Sequence, residues 1–215
     1  MVAGVAGGLV SSTLVTINNA RQASIAGSPY RLLVAGVAAA NAVMLIRICA
    51  IAAALNDRLF ALIWPPLTAA AATGAIVAYS YAHLEAGNPY RLRRYKLPNP
   101  LSFTSIVWLA AFLSIMIVAG RIVGERYGGT GALIGAAIVG LFDVDAVTVA
   151  LAQLAPHGIS VQDAAMAVLA AAASDTVSKA LIGAALARGR FALSITLLAT
   201  ISIAVGAITW WLSRL

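Results

Sequence analysis

Of the seven acidic residues in the chain, Asp143, Asp145 and Asp175 fall inside long apolar runs. Asp57, Glu85, Glu125 and Asp163 lie in or near connections and read as solvated. A charge at the centre of a bilayer costs roughly 2.5–3.5 kcal/mol on insertion scales and needs a partner or water. Intramembrane carboxylates are therefore the first candidates for chemistry. Asp143 and Asp145 are two residues apart, about 200° around a regular helix. They cannot face one site from an unbroken helix. Gly140 precedes them, and Gly7-Gly8 precede the similar Ser11-Ser12-Thr13. Asp and Ser are preferred N-caps. The pattern predicts a broken span: a Gly-rich first half, a turn near 140–142, and a short second helix capped by Asp143. Ser11 or Ser12 caps the equivalent piece near the N-terminus. Half-helix ends of this kind are where transporters hold ions. Asp143 and Asp145 are the candidate metal ligands, with Thr148 and Thr16 one turn further along. The competing reading is a cap plus an interhelical hydrogen bond, and hydroxyls such as Ser11, Ser12, Thr13 and Thr16 also serve as packing groups.

Asp175 and Lys179 are spaced i, i+4 with the acid N-terminal, the better orientation for a pair on one helix. They read either as a self-neutralising pair or as a charge relay beside Asp143 and Asp145. In the first half Asn41 takes the place of Asp175, and Arg47 supplies a cation further along in mid-span, as a functional or pairing residue rather than a snorkelling one. Asn18 and Asn19 either coordinate a cation through side-chain carbonyls or bond between helices. The candidate ion-binding set is thus Asp143, Asp145, Thr148, Asp175, Lys179, Ser11, Ser12, Thr13, Thr16, Asn41 and Arg47. Oxygen donors of this kind suit a hard cation such as Mg2+.

Other chemistries lack their residues. Cys49 is the single cysteine and reads as a small buried hydrophobe, so neither a disulfide framework nor a multi-cysteine metal site is available. His157 reads as a loop residue and His83 as interfacial, and neither has the spaced partners of a zinc site. There is no nucleophile elbow, phosphate loop or cofactor fingerprint. We expect no catalytic residue, no enzyme activity and no cofactor beyond a bound cation. The net charge of +7 comes mostly from basic residues at the ends of apolar stretches, where they meet headgroups, so no nucleic acid is expected.

The elements that must position these residues are membrane spans. The 215 residues are 62% hydrophobic and 10% charged, with mean hydropathy +0.96. A soluble fold of this size cannot bury so much apolar surface, whereas a bilayer accepts it on outer faces. A spanning helix takes about 20 apolar residues. Spans are predicted at Met1–Asn19, Leu32–Leu55, Leu59–Tyr81, Phe103–Val123, Gly131–Leu154, Ala164–Leu186 and Phe191–Leu212. Connections carry breakers at Gly27-Ser28-Pro29, Gly87-Asn88-Pro89, Gly128-Gly129 and Pro156-His157-Gly158. Pro65-Pro66 is expected to kink or locally break the third span. Gly4-xxx-Gly8 and Gly131-xxx-Gly135 permit close helix contact. Met1 opens into an apolar run with no basic segment before it, which argues against a signal peptide. The distribution of arginines favours an outside N-terminus.

The two halves resemble each other. Gly8-Leu-Val-Ser-Ser-Thr-Leu-Val-Thr16 aligns with Gly140-Leu-Phe-Asp-Val-Asp-Ala-Val-Thr148, Ala38–Val43 with Ala172–Val177, and Phe60-Ala-Leu with Phe191-Ala-Leu, at an offset near 132. The expected fold is an all-α polytopic membrane bundle of about seven spans: a three-helix repeat (1–82), a basic loop and linker helix (83–130), and a second three-helix repeat (131–215), with discontinuous helices at the repeat motifs. Four crossings separate the two starts, so the units are expected to share one orientation.

The motifs Gly8-Leu-Val-Ser-Ser-Thr with Ala20-Arg21, Asn99-Pro100-Leu-Ser, Gly140-Leu-Phe-Asp-Val-Asp-Ala-Val-Thr and Ala171–Lys179 resemble an uncharacterised bacterial integral membrane domain often fused behind an MgtC/SapB domain (domain of unknown function four-thousand-and-ten). Ser174-Asp175 stands where that pattern has Ser-Asn, which alters the partner of Lys179. The resemblance implies a multi-pass protein of the bacterial inner membrane, an MgtC/SapB-type membrane partner, and a link to magnesium by association. The leading functional expectation is a transporter or channel-like protein for a small inorganic cation, divalent included. The alternatives are a non-transporting regulatory or assembly subunit, and a transporter of a small anionic solute held by Arg47, Lys179 and half-helix ends. The lipid bilayer, a small ion and a second copy in a homodimer are the expected partners.

Overall fold

The computed structural model describes residues 2–25, 27–85, 130–141, 143–155 and 158–215, with the backbone alone for 2–10. The regular structure in them is helical: α1 (Val2–Ala23), α2 (Tyr30–Leu55), α3 (Asp57–Leu84), α4 (Thr130–Gly140), α5 (Val144–Leu154), α6 (Val161–Leu186) and α7 (Arg190–Leu212). α2, α3, α6 and α7 are each long and apolar enough to cross a membrane. The protein is an all-helical membrane bundle. The predicted linker helix at 103–123, the basic loop before it, Gly128-Gly129, Glu125 and His157 lie outside the described residues.

Local chemistry sets the helix ends. Asn56 closes α2 and opens α3, its side chain accepting from Leu59 N at 3.1 Å. Ser160 opens α6: its Oγ accepts from Asp163 N at 3.0 Å and donates to Asp163 Oδ2 at 2.7 Å. Gly189 reverses the chain between α6 and α7 at φ +77°, a conformation that costs other residues a Cβ clash. His83 is exposed with its ring beside Tyr79, as an interfacial histidine would be.

α2 is the central helix. It packs on α1, α3, α5 and α7, and Leu33 through Asn41 are buried without interruption. A helix surrounded on all sides has no polar face to show, which explains its evenly apolar sequence. α7 lies outermost and turns Leu193, Leu197, Ile201, Ile208 and Trp211 outward, as a lipid-facing surface requires. The packing scheme maps onto itself when α1, α2 and α3 are exchanged for α5, α6 and α7. α1 packs on α2 and α6, and α5 on α6 and α2; α3 packs on α2 and α6, and α7 on α6 and α2; α3 and α7 pack on each other.

One sequence expectation needs correction in part: Pro65 and Pro66 do not break α3, which continues from Asp57 to Leu84. The helix is clasped between α2 and α7, and Thr68 Oγ1 lies within hydrogen-bonding reach of Trp64 O (2.6 Å) and Pro65 O (3.1 Å), tying the turn after the prolines. A Cβ built at Gly135 meets no described atom within 4 Å, whereas one at Gly140 would lie 2.5 Å from Ala171 Cα of α6.

Gly140→Ala is therefore expected to destabilise the bundle by about 1–3 kcal/mol through overpacking. Gly135→Ala is expected to stay within about 0.5 kcal/mol of wild type. Thermal unfolding of both variants in detergent checks the contrast.

Candidate functional site

The site is built on a break in the backbone. Between α4 and α5, Asp143 adopts extended φ/ψ (−154°, 106°), and its Oδ1 accepts from Asp145 N (2.9 Å) and Ala146 N (3.2 Å). It is the N-cap of α5. Near the N-terminus, 132 positions earlier, Ser11 has φ/ψ of −165° and 109° inside α1, and Leu14 N donates to its Oγ at 3.3 Å. Ser11 rather than Ser12 is the capping residue. One turn on, Thr148 Oγ1 donates to Val144 O (2.8 Å) and Thr16 Oγ1 to Ser12 O (3.0 Å). Both threonines are buried, so each hydroxyl proton satisfies its own helix and leaves lone pairs for a neighbour.

The break releases Asp145 from the cap and aims it across the bundle. Its Oδ2 forms an ion pair with Arg47 Nη2 of α2, so a residue of the second half neutralises a residue of the first. Asp145 Oδ1 is buried with no hydrogen-bond partner. On α6, Lys179 Nζ pairs with Asp175 Oδ2 and also lies 2.8 Å from Met44 Sδ of α2. Lys179 and Asp175 are each 4% exposed. The ion pairs lie within electrostatic range of each other: Asp145 feels Arg47, Asp143 and Asp175, and Lys179 feels Asp175, Arg47 and Asp145. Among the described residues the cluster holds three carboxyl groups and two cationic side chains.

The structure thus brings together Arg47, Asp143, Asp145, Asp175 and Lys179. Asn41 stands beside Lys179, lining a small cavity with it and Thr176, and does not pair with Arg47. Among the described residues no hydrogen bond or ion pair joins Ser11, Ser12, Thr13 or Thr16 to the charged cluster. Thr16 instead packs where α1 crosses α6, near Gly183. Asn19 bonds between helices, donating from Nδ2 to Leu33 O at 2.9 Å, and its amide fills the space a side chain at Gly36 would take. No group of three His, Cys, Asp or Glu side chains among the described residues is arranged to hold a metal ion, so any cation would draw on carbonyls, hydroxyls or water as well.

Three participants escaped the sequence reading. Asn56 donates from Nδ2 to Ala152 O of α5 at 3.1 Å, a second tie between the halves, and its position before an acidic first turn was a legible cap signal. Met44 carries no sequence mark of its contact with Lys179. Ser202, 2% exposed with an unpartnered Oγ, lines a cavity of about 300 Å³ that includes Met166, Trp210 and Pro66 and holds no charged residue.

Residues 1–187 match the family described as "Domain of unknown function (DUF4010)". The chain belongs to this family. The match spans the capped break at Ser11, the break at Asp143 and the Asp175–Lys179 pair, and ends between α6 and α7. No curated protein and no solved structure is detectably similar to this DUF4010 chain.

Asp143→Ala is expected to cost about 1 kcal/mol by removing the cap, and Asp143→Ser only a few tenths, because a serine already caps the break in α1. Arg47→Met alone is expected to cost a few kcal/mol by stranding Asp145, with much of the loss recovered in Arg47→Met/Asp145→Leu. Melting temperatures of single and double variants in one detergent check both.

Proposed function

We propose that this protein moves a small inorganic cation across the membrane, with the Asp143–Asp145 break as its ion site. The observation that carries the reading is Asp145: an acid at a helix break within the apolar bundle, one oxygen held by Arg47 and the other buried and unpartnered, in a cluster with a formal surplus of one carboxyl group among the described residues. A cation is the species that such a surplus attracts. The donor set of carboxylate, hydroxyl and amide oxygens suits a hard ion, and divalent magnesium and manganese are the first to assay. The matched breaks at Ser11 and Asp143, together with the exchangeable packing scheme, support reading the chain as an internal repeat with the site between its units. The proposal includes a bacterial inner-membrane location, with an MgtC/SapB-type partner and a homodimer as associations to test.

A second reading has its own support. Arg47 and Lys179 each hold a carboxylate, which is also what a non-transporting regulatory or assembly subunit would need to keep its helices locked. An anionic solute is less well served, because Asp143 occupies the N-terminus of α5 and both cations are engaged.

Flux against stability separates these. Asp145→Asn keeps a carbonyl for Arg47 and removes the charge. It is expected to abolish uptake of magnesium or manganese into reconstituted vesicles with the melting temperature within a few degrees of wild type. Undiminished uptake together with a large fall in melting temperature hands the case to the structural reading.

A further inference from the structure

The two units run in opposite directions. At one end of the bundle Ala20 of α1, Leu33 of α2, Ala187 at the close of α6 and Phe191 of α7 form one buried cluster, with Tyr81 of α3 packed against it. Arg31 and Arg190 both face the Tyr30 hydroxyl there. At the other end Asn56, between α2 and α3, reaches Ala152 late in α5. Toward that end Gly206, in the second half of α7, approaches Pro66, in the first half of α3. Beyond its break α1 therefore runs toward the first end, and α5 toward the second. α2 leaves the first end and α6 arrives at it; α3 arrives at it and α7 leaves it. Each helix is antiparallel to its counterpart, in place of the shared orientation that counting crossings predicts. Together with the exchangeable packing scheme, this is the geometry of inverted repeats, related by an axis in the membrane plane.

The units also differ in conformation. α1 carries its helix past Ser11 as one element, whereas α4 and α5 are separate, with Asp143 extended between them. An inverted repeat whose units differ has a second state of the same design, reached when the units exchange conformations and facing the opposite side of the bilayer. We propose that this protein is an alternating-access carrier working by that exchange, which presents the Asp145 site to the two faces in turn. For the species carried, this rests on the cation reading. Asp145 and Lys179 lie 132 positions after Thr13 and Arg47. Asp145 pairs with Arg47 in this state. The matched contact is not made: Lys179 serves Asp175 and Met44, and no described hydrogen bond joins it to Thr13. Exchange opens the first contact and closes the second. Parting Arg47 from Asp145 strands a carboxylate among apolar helices unless another cation replaces the guanidinium. A cation bound at Asp145 thus favours the exchanged state, which is the differential affinity a carrier requires.

Of the described arginines, Arg21, Arg31, Arg188 and Arg190 lie at the first end and Arg58 and Arg214 at the second, so the positive-inside rule makes the first end cytoplasmic. Cys49 is the single cysteine, so full-length Cys49→Ala protein accepts labels at chosen positions. With a maleimide that cannot cross the membrane, Ser24→Cys and Arg188→Cys are expected to react from the cytoplasmic face alone, and Arg58→Cys and Ser213→Cys from the other face alone. Ser24 and Arg188 reacting from opposite faces overturns the proposal. Exchange is read from spin-label distances in vesicles without an ion gradient, between Arg21 and Arg190 at the first end and between Gln153 and Arg58 at the second. These pairs are matched at the offset of 132, so exchange swaps the two distances. Arg47→Met/Asp145→Leu removes the contact that marks this state and strands neither charge. It is expected to add a second distance at both ends, longer at one and shorter at the other. Distances that the double variant leaves unmoved at either end overturn the proposal. Should it fail to fold, Asn56→Leu, which cuts the tie to Ala152, is judged by the same distances. Paired distance changes in a protein that takes up neither magnesium nor manganese sink only the cation reading, and uptake through a protein whose distances stay fixed sinks only this one.

Discussion

A charge placed among apolar helices in a bilayer must be answered by another charge, and the Arg47–Asp145 ion pair is where this protein answers it across its two halves. The pair needs α2 and α5 side by side at a fixed height. It needs Asp145 free of its own helix backbone, which the Asp143 cap arranges by taking the first amides of α5 for itself. It also needs α4 to end close against α6, which Gly140 allows by letting the backbone reach Ala171. Asn56 braces the same junction from the α2–α3 corner by reaching Ala152.

The two halves solve the same problem unequally. Each has a break capped by a short polar side chain, a back-bonded threonine one turn on, and a cation on its second helix. Thr13 stands where Asp145 would be in the first half, and among the described residues the second cation pairs with no acid across the bundle. Asp175 supplies one on the same helix, four residues from Lys179. One pair therefore joins the halves, and the other is internal to α6. The pair across the halves changes when the halves move relative to each other, whereas the internal pair travels with its helix.

The apolar elements were legible in composition, because solvation by lipid demands long uninterrupted runs that few other folds tolerate. Six of the seven predicted spans coincide with described helices within a few residues at most boundaries, the span at 131–154 as the two pieces α4 and α5. The break at Asp143 was equally legible, since two acids about 200° apart cannot face one site from an unbroken helix and a glycine precedes them. The local break allowed for at Pro65-Pro66 did not form: propensity is local, and α3 runs on between α2 and α7. Asn19 shows a residue whose type left two readings open and whose contact with Leu33 O chose one.

By itself, the sequence determined that the protein lives in a membrane, where its helices run, where one of them breaks, and which charges must find partners. Those properties depend on solvation and on spacing along one helix, and both are written locally. The tertiary structure decided which partner each charge found. Arg47 meets Asp145 nearly a hundred residues away, Lys179 meets Met44 from another helix, and Asn41 lines a small cavity together with Lys179. No local rule encodes those meetings, because they depend on the heights and rotations at which separate helices pack, and these are set jointly by every side chain between them.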